Sequence, residues 1–353
     1  MRSYCAVYVD AGYLLASAAT RVTGTSLRNG VTIQYRELIE ALITQVQQES
    51  GLPLLRVNWY DAAGGPGGAP DPWQDQIGML PRLKLRLGRM SPGGEQKGVD
   101  LRIGLDIATH GRNRIADVIY LLSGDDDLTE AVEEAQGHGV QVILLAAPDR
   151  HGRPHAVSRN LQREADGTTL LDPVIIDKFV KPRPKPVPEP VVPPTEVVED
   201  RPAIPTPAAL AGTRPWSTPI PAIRTGDQAA ALHGHTPHSA PRIVYSSMTG
   251  RASVGDSSLP PEIEKLVDEV VHGVVDTWKS TVTDAELKAV RSERPYIPRD
   301  LDRTMLLDMS ARLGMYDVDE HTRLALREHF WGVLGSSAAE DALATQQPTK
   351  ESS

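Results

Sequence analysis

The chain has 353 residues, enough for two domains, and its 29 prolines are spread very unevenly. A net charge of −9 argues against a uniformly basic nucleic-acid coat, although a local basic groove needs only clustered charge. One cysteine, Cys5, excludes an intramolecular disulfide and argues against a cysteine-built zinc site; with no apolar run near the roughly 18 residues of a membrane span and no signal-peptide pattern, a cytosolic protein is expected.

Tyr4 to Val9 reads as a first buried strand ending at Asp10, followed by a helix near Leu14 to Thr20. An amphipathic helix is expected over Tyr35 to Gln48 and a strand over Leu54 to Tyr60. Glycines and prolines mark Asp61 to Asp75 as an exposed flexible loop. Leu83 to Leu87 alternates apolar residues with Lys84 and Arg86, as a strand with one solvated face would. Asp100 opens a helix to about Thr109 in which Leu101, Ile103, Leu105 and Ile107 give a largely buried character, and His110 to Arg114 reads as a loop.

Val118 to Leu122 has the unbroken apolar pattern of a strand buried on both faces. It breaks into Ser123, Gly124, Asp125, Asp126 and Asp127, then into a helix through Leu128, Ala131, Val132 and Ala135, and Val140 to Leu145 is the next buried strand. A helix is expected from about Ala156 to Glu164, and Leu170 to Phe179 closes the domain. Residues 181–258 read as a Pro-rich disordered linker, 259–335 as a small all-helical module with a capping box at Thr283 and Glu286, and 336–353 as a disordered tail.

Asp10, Asp100 and the Asp125–Asp127 cluster thus fall at strand or loop ends, where open α/β sheets bind ligands. Adjacent carboxylates repel one another, and the arrangement makes sense if a hard cation such as Mg²⁺ or Mn²⁺ takes their oxygens. Without a P-loop lysine, a nucleophilic cysteine or a paired histidine, the chemistry points to metal-assisted hydrolysis. Bland readings stand beside this one. Asp10 could be only an N-cap, Asp127 with Glu130 fits a capping box, and Asp126 reads as solvent-facing. Asp106 sits about 240° around a helix from Asp100, so the two would not share a face.

Several pieces in order resemble the NYN domain of the PIN-like nuclease superfamily, in its LabA-like branch: Tyr8-Val9-Asp10, Arg56 to Asp61, Lys97 to Asp100 with Leu105-Asp106, and Leu122 to Leu128 followed by Gly139-Val140. The resemblance covers about the first 180 residues and implies an α/β fold, a mostly parallel sheet between helices, with a Mg²⁺ or Mn²⁺ site acting on RNA. Carried over, Asp10, Asp100, Asp125 and Asp127 are the metal-binding and catalytic residues and Ser123 is a site serine. Lys97 is the basic residue assigned to substrate, ahead of Lys84, Arg86, Arg89, Arg112, Arg114, Arg150 and Arg153, and Trp59, Tyr60 and Trp73 could stack on bases. Where the family often has Asn three residues after its first Asp, this chain has Tyr13.

The expectation is a metal-dependent ribonuclease (domain 1–180) whose helical module recruits a protein partner or a second copy. The alternative is a non-catalytic RNA-binding or regulatory protein, which Tyr13 favours. A phosphatase-type hydrolase with Asp10 as nucleophile would want an acid two residues on, where Gly12 stands.

Overall fold

The computed structural model describes residues 3–65, 68–90, 96–186, 244–245, 252–253, 259–315 and 318–344. Most of the expected linker and the end of the expected tail lie outside the described residues.

Six parallel strands make the main sheet: β1 (Cys5–Asp10), β3 (Leu54–Ala62), β4 (Leu83–Met90), β6 (Val118–Leu122), β7 (Gln141–Ala146) and β8 (Gly167–Leu170). Their order is β4-β3-β1-β6-β7-β8, and β5 (Gln96–Lys97) adds an antiparallel edge beside β4. A separate antiparallel pair, β2 (Val31–Ile33) with β9 (Val180–Pro182), ties the early chain to the end of the domain.

Strand residues alternate between two cores, as a sheet covered on both faces requires. Val7, Val9, Val57 and Trp59 pack under α1 (Ala11–Thr23), α2 (Tyr35–Ser50) and α7 (Pro173–Phe179). Ala6, Tyr8, Tyr60 and Leu121 pack under α4 (Val99–Arg112), α5 (Thr129–Gly137) and α6 (Arg159–Glu164).

Several expectations change. The Gly/Pro stretch contains α3 (Pro72–Gly78), because Asp71 and Gln74 form a capping box and Pro72 suits the first helical turn. Gln74 is buried there, and its amide donates to Asp61 Oδ2 (2.9 Å) and the Ala62 carbonyl (2.6 Å). Helix α4 runs on to Arg112, so the loop expected at His110 is its last turn. Ile103 and Ile107 are buried, but Leu101 (67%) and Leu105 (59%) are exposed: a helix lying on a sheet buries one i, i+4 stripe, not both. The helix expected from Ala156 begins only at Arg159, after Ser158 caps it.

Four helices follow near the C-terminus: α8 (Pro261–Lys279), α9 (Asp284–Ser292, with the expected capping box), α10 (Arg299–Leu313) and α11 (Glu320–Ala344). Val270, Val271, Val274, Leu301, Met305, Met309, Phe330 and Leu334 form their core, and Leu27 from the N-terminal part is buried in it. Residues 1–188 and 259–353 accordingly make one compact unit; in the other, 189–258, β10 (Val244–Tyr245) pairs antiparallel with β11 (Ala252–Ser253). Among the described residues, no helix is long and apolar enough to cross a membrane.

Candidate metal centre

Strands β1 and β6 are neighbours in register, with Val9 opposite Leu122, so the residues just past their carboxyl ends meet. Asp10 is the last residue of β1 and the N-cap of α1, accepting the Tyr13 N–H at 3.1 Å. The N-cap reading of Asp10 therefore holds alongside any other role. Ser123, fully buried past β6, donates its hydroxyl to Asp10 Oδ2 at 3.4 Å and accepts the Asp125 N–H at 3.3 Å. One hydroxyl links the two strand ends.

Asp125 caps the short 3-10 turn Asp126–Leu128 by accepting the Asp127 N–H at 3.1 Å. That is a different cap from the Asp127–Glu130 box: α5 begins after Leu128, which makes no side-chain cap. Asp127 is exposed at the turn. Asp126 is not merely solvated. It accepts from the Ser158 hydroxyl and from Asn160 Nδ2 (3.2 Å), fastening the acidic loop to the start of α6. Asp100 enters from the first turn of α4.

Burial and neighbouring charge act on these acids together. Asp10 is pushed up to about 6, chiefly by burial and also by Asp100 and Asp125, against the Tyr13 N–H and Arg28, which pull it down. Asp125 is raised by burial and then by Asp100, Asp127 and Asp126. Asp100 is raised by burial and by Asp127, with Arg303 of α10 opposing. Asp100 and Asp125 thus act on Asp10 through their charge, and Asp127 acts on Asp100 and Asp125. The donor set is all carboxylate oxygen, with no thiolate or imidazole, and its mutual repulsion is what a hard divalent cation relieves. The residues fit such an ion.

No three of these acids bring ligand atoms within 4.8 Å of one another. Among the described residues, the trio whose ligand atoms all lie within 4.8 Å of one another is Asp268, His272 and His329, on α8 and α11. There both imidazole Nε2 atoms approach Asp268 Oδ1, at 3.4 and 2.8 Å.

Asp106 stays apart from the acids, accepting the Tyr60 hydroxyl at 2.9 Å and facing Arg86 Nε at 3.4 Å. Tyr13 is a strut: its hydroxyl donates to the His155 carbonyl (2.8 Å) and accepts the Ala147 N–H (3.1 Å).

Most nominated basic residues are committed elsewhere. Arg112 pairs with Glu134, Arg153 with Asp149, Arg114 donates to the His138 carbonyl and Arg150 to the Arg21 carbonyl. The Lys97 and Arg89 side chains lie outside the described residues. Trp59 and Tyr60 are buried in the two cores and cannot stack on a base, whereas Trp73 is 62% exposed. Sequence reasoning missed Arg28 altogether. It lies in the 3-10 turn after α1, and a Cβ on Gly12 would sit 2.9 Å from both its Nη2 and Asp10 Oδ1. Burial and Arg303 work against its charge; Asp61, Asp10 and Asp300 favour it. No periodicity or motif marks a lone arginine in a polar stretch.

Residues 4–172 match the NYN domain family. The uncharacterized protein y4oD of Sinorhizobium fredii is 38% identical over 107 residues, 30% of this chain and 49% of that protein, so the match spans about half its length. A crystal structure of a protein of unknown function from Vibrio parahaemolyticus shares 22% identity, covering 51% of this chain and 96% of the other at a TM-score of 0.35.

Proposed function

Residues 4–172 are an NYN domain, of the PIN-like nuclease superfamily, and on that premise we propose that the protein is a cytosolic, metal-dependent ribonuclease. NYN domains are typically associated with RNA, and PIN-like nucleases generally use divalent metals. What supports the reading is that Ser123 links Asp10 and Asp125 at the carboxyl ends of the neighbouring strands β1 and β6, with Asp100 and Asp127 acting on that pair through their charge.

In this reading those four residues hold Mg²⁺ or Mn²⁺, which when bound would offset phosphate charge and acidify water. The chain's own part is orientation. The Tyr13 N–H and the Ser123 hydroxyl fix the Asp10 carboxylate, and the Asp127 N–H fixes Asp125. Asp126, anchored to α6, keeps the loop from swinging away. Lys97 is the sequence-based candidate for contacting substrate.

The test is cleavage of labelled single-stranded RNA with Mn²⁺ by the full chain and by Asp125→Asn. The variant should lose activity by about 10²-fold or more, the scale on which one transition-state contact acts. Cleavage undiminished in the variant, or absent from the wild type, overturns the reading. Tight RNA binding without turnover would instead match a regulatory RNA-binding protein. The observation on that side is Tyr13, whose hydroxyl is committed to the backbone of His155 and Ala147 where a substrate-positioning amide would otherwise stand.

A further inference from the structure

The turn carrying Arg28 is held from outside its own domain. Leu27 is buried in the helical module's core. The Ser26 N–H donates to Asp308 at 3.0 Å, and Asn29 Nδ2 donates to Asp300 Oδ2 at 3.1 Å, both acceptors on α10. Gly30 lies so close to α8 that a Cβ would sit 2.9 Å from Thr277 Cγ2. Both neighbours of Arg28 are therefore fixed by the module, on either side of its side chain.

Arg28 itself is left over. Among the described residues, no hydrogen bond is made by its guanidinium and no carboxylate lies within 4.0 Å of it. It stands beside Asp10 across the space that the missing Gly12 side chain leaves. A cation present only to neutralise Asp10 would close that gap into an ion pair. Arg28 is only partly buried, and its planar fork of N–H donors matches a phosphate's oxygens. Arg303 of α10 lies near enough to act on both Asp100 and Arg28, so a second positive charge from the module borders the same acids.

We propose that Arg28, positioned by the C-terminal helices, binds a phosphate of the RNA strand lying across the acid cluster. This rests on the ribonuclease reading above. It makes the helical module part of the site rather than only a recruiting appendage.

The experiment measures two affinities of the full chain. Binding of a 2′-O-methyl single-stranded RNA is followed by fluorescence anisotropy in Mn²⁺, and Mn²⁺ binding by electron paramagnetic resonance of the free ion. Arg28→Ala should weaken RNA binding about tenfold and reduce the salt dependence by about the contribution of one phosphate contact. It should leave Mn²⁺ affinity unchanged or higher, because a cation beside the acids has gone. Arg28→Lys should recover part of the RNA affinity.

RNA affinity unchanged in Arg28→Ala overturns the proposal. So does a parallel fall in Mn²⁺ and RNA affinity, which would mark structural damage in place of a lost phosphate contact. The two readings fail separately: a wild type that binds this RNA through Arg28 yet cleaves no RNA sinks the ribonuclease alone.

Discussion

Tyr13 shows how one side chain decides the shape of the acid loop. Its hydroxyl joins α1 to the chain leaving β7, and its ring lies 2.9 Å from where a Gly124 Cβ would be, while that same Cβ would collide with the Ala156 carbonyl. Gly124 lies between Ser123 and Asp125, so tyrosine and glycine together set where Asp125 stands. Tyr13→Phe should lower stability by about 1–3 kcal/mol, because it strands a buried N–H and C=O, and urea unfolding will measure this. Asp10 and Asp125 were legible in the sequence because each ends an unbroken apolar run, and a buried strand must release its chain at the sheet edge. Arg28 was not, since its place depends on Asp300, Asp308 and Thr277, far along the chain. Composition near position 28 carries none of that.

At the scale of elements, strands were read more accurately than helices. Continuous apolar runs buried on two faces admit few other arrangements, and five of the six parallel strands fall where such runs or alternations stand; the edge strand β8, Gly-Thr-Thr-Leu, carries no such pattern and was not expected. Helix α3 was hidden by glycines and prolines that speak for a loop, although Asp71, Pro72 and Gln74 carried a start signal. The exposed Leu101 and Leu105 show the opposite error, apolar residues taken as core on a helix with one buried stripe. Helix α10 brings a testable titration. Burial raises Asp308 to about 6, against the opposing hydrogen bonds from Ser26. A carboxyl raised on folding stabilises fully below its unfolded value and loses that contribution as pH climbs through about 6. Asp308→Asn, which can still accept the Ser26 N–H, should match the wild type near pH 4 and exceed it at pH 7.5 by on the order of 1–2 kcal/mol. Unfolding midpoints across that range check the sign. A variant less stable at the higher pH would show that the charged acceptor matters more than its burial.

For the whole molecule, the informative boundary is the one that residues 1–188 and 259–353 do not respect. Sequence alone marked the helical region as a tethered module, because its periodicity and the Pro-rich stretch before it are local signals. What joins it to the sheet domain is non-local: Leu27 in its core, and Ser26 and Asn29 bonded to α10. Produced as two polypeptides, 1–188 and 259–353 should co-purify and migrate as one species on size exclusion. Leu27→Asp should separate them, because it places a charge among Val270, Val271, Phe330 and the other apolar side chains of that core. Separate elution of the unaltered pair would contradict the joint unit.

The buried Leu27 also imposes a timetable. A ribosome releases the sheet domain first, yet the groove that receives this leucine is not complete until α11 has emerged. A half-made chain therefore carries its acidic loop with the neighbouring arginine unanchored until the helices that follow the sheet domain have been made.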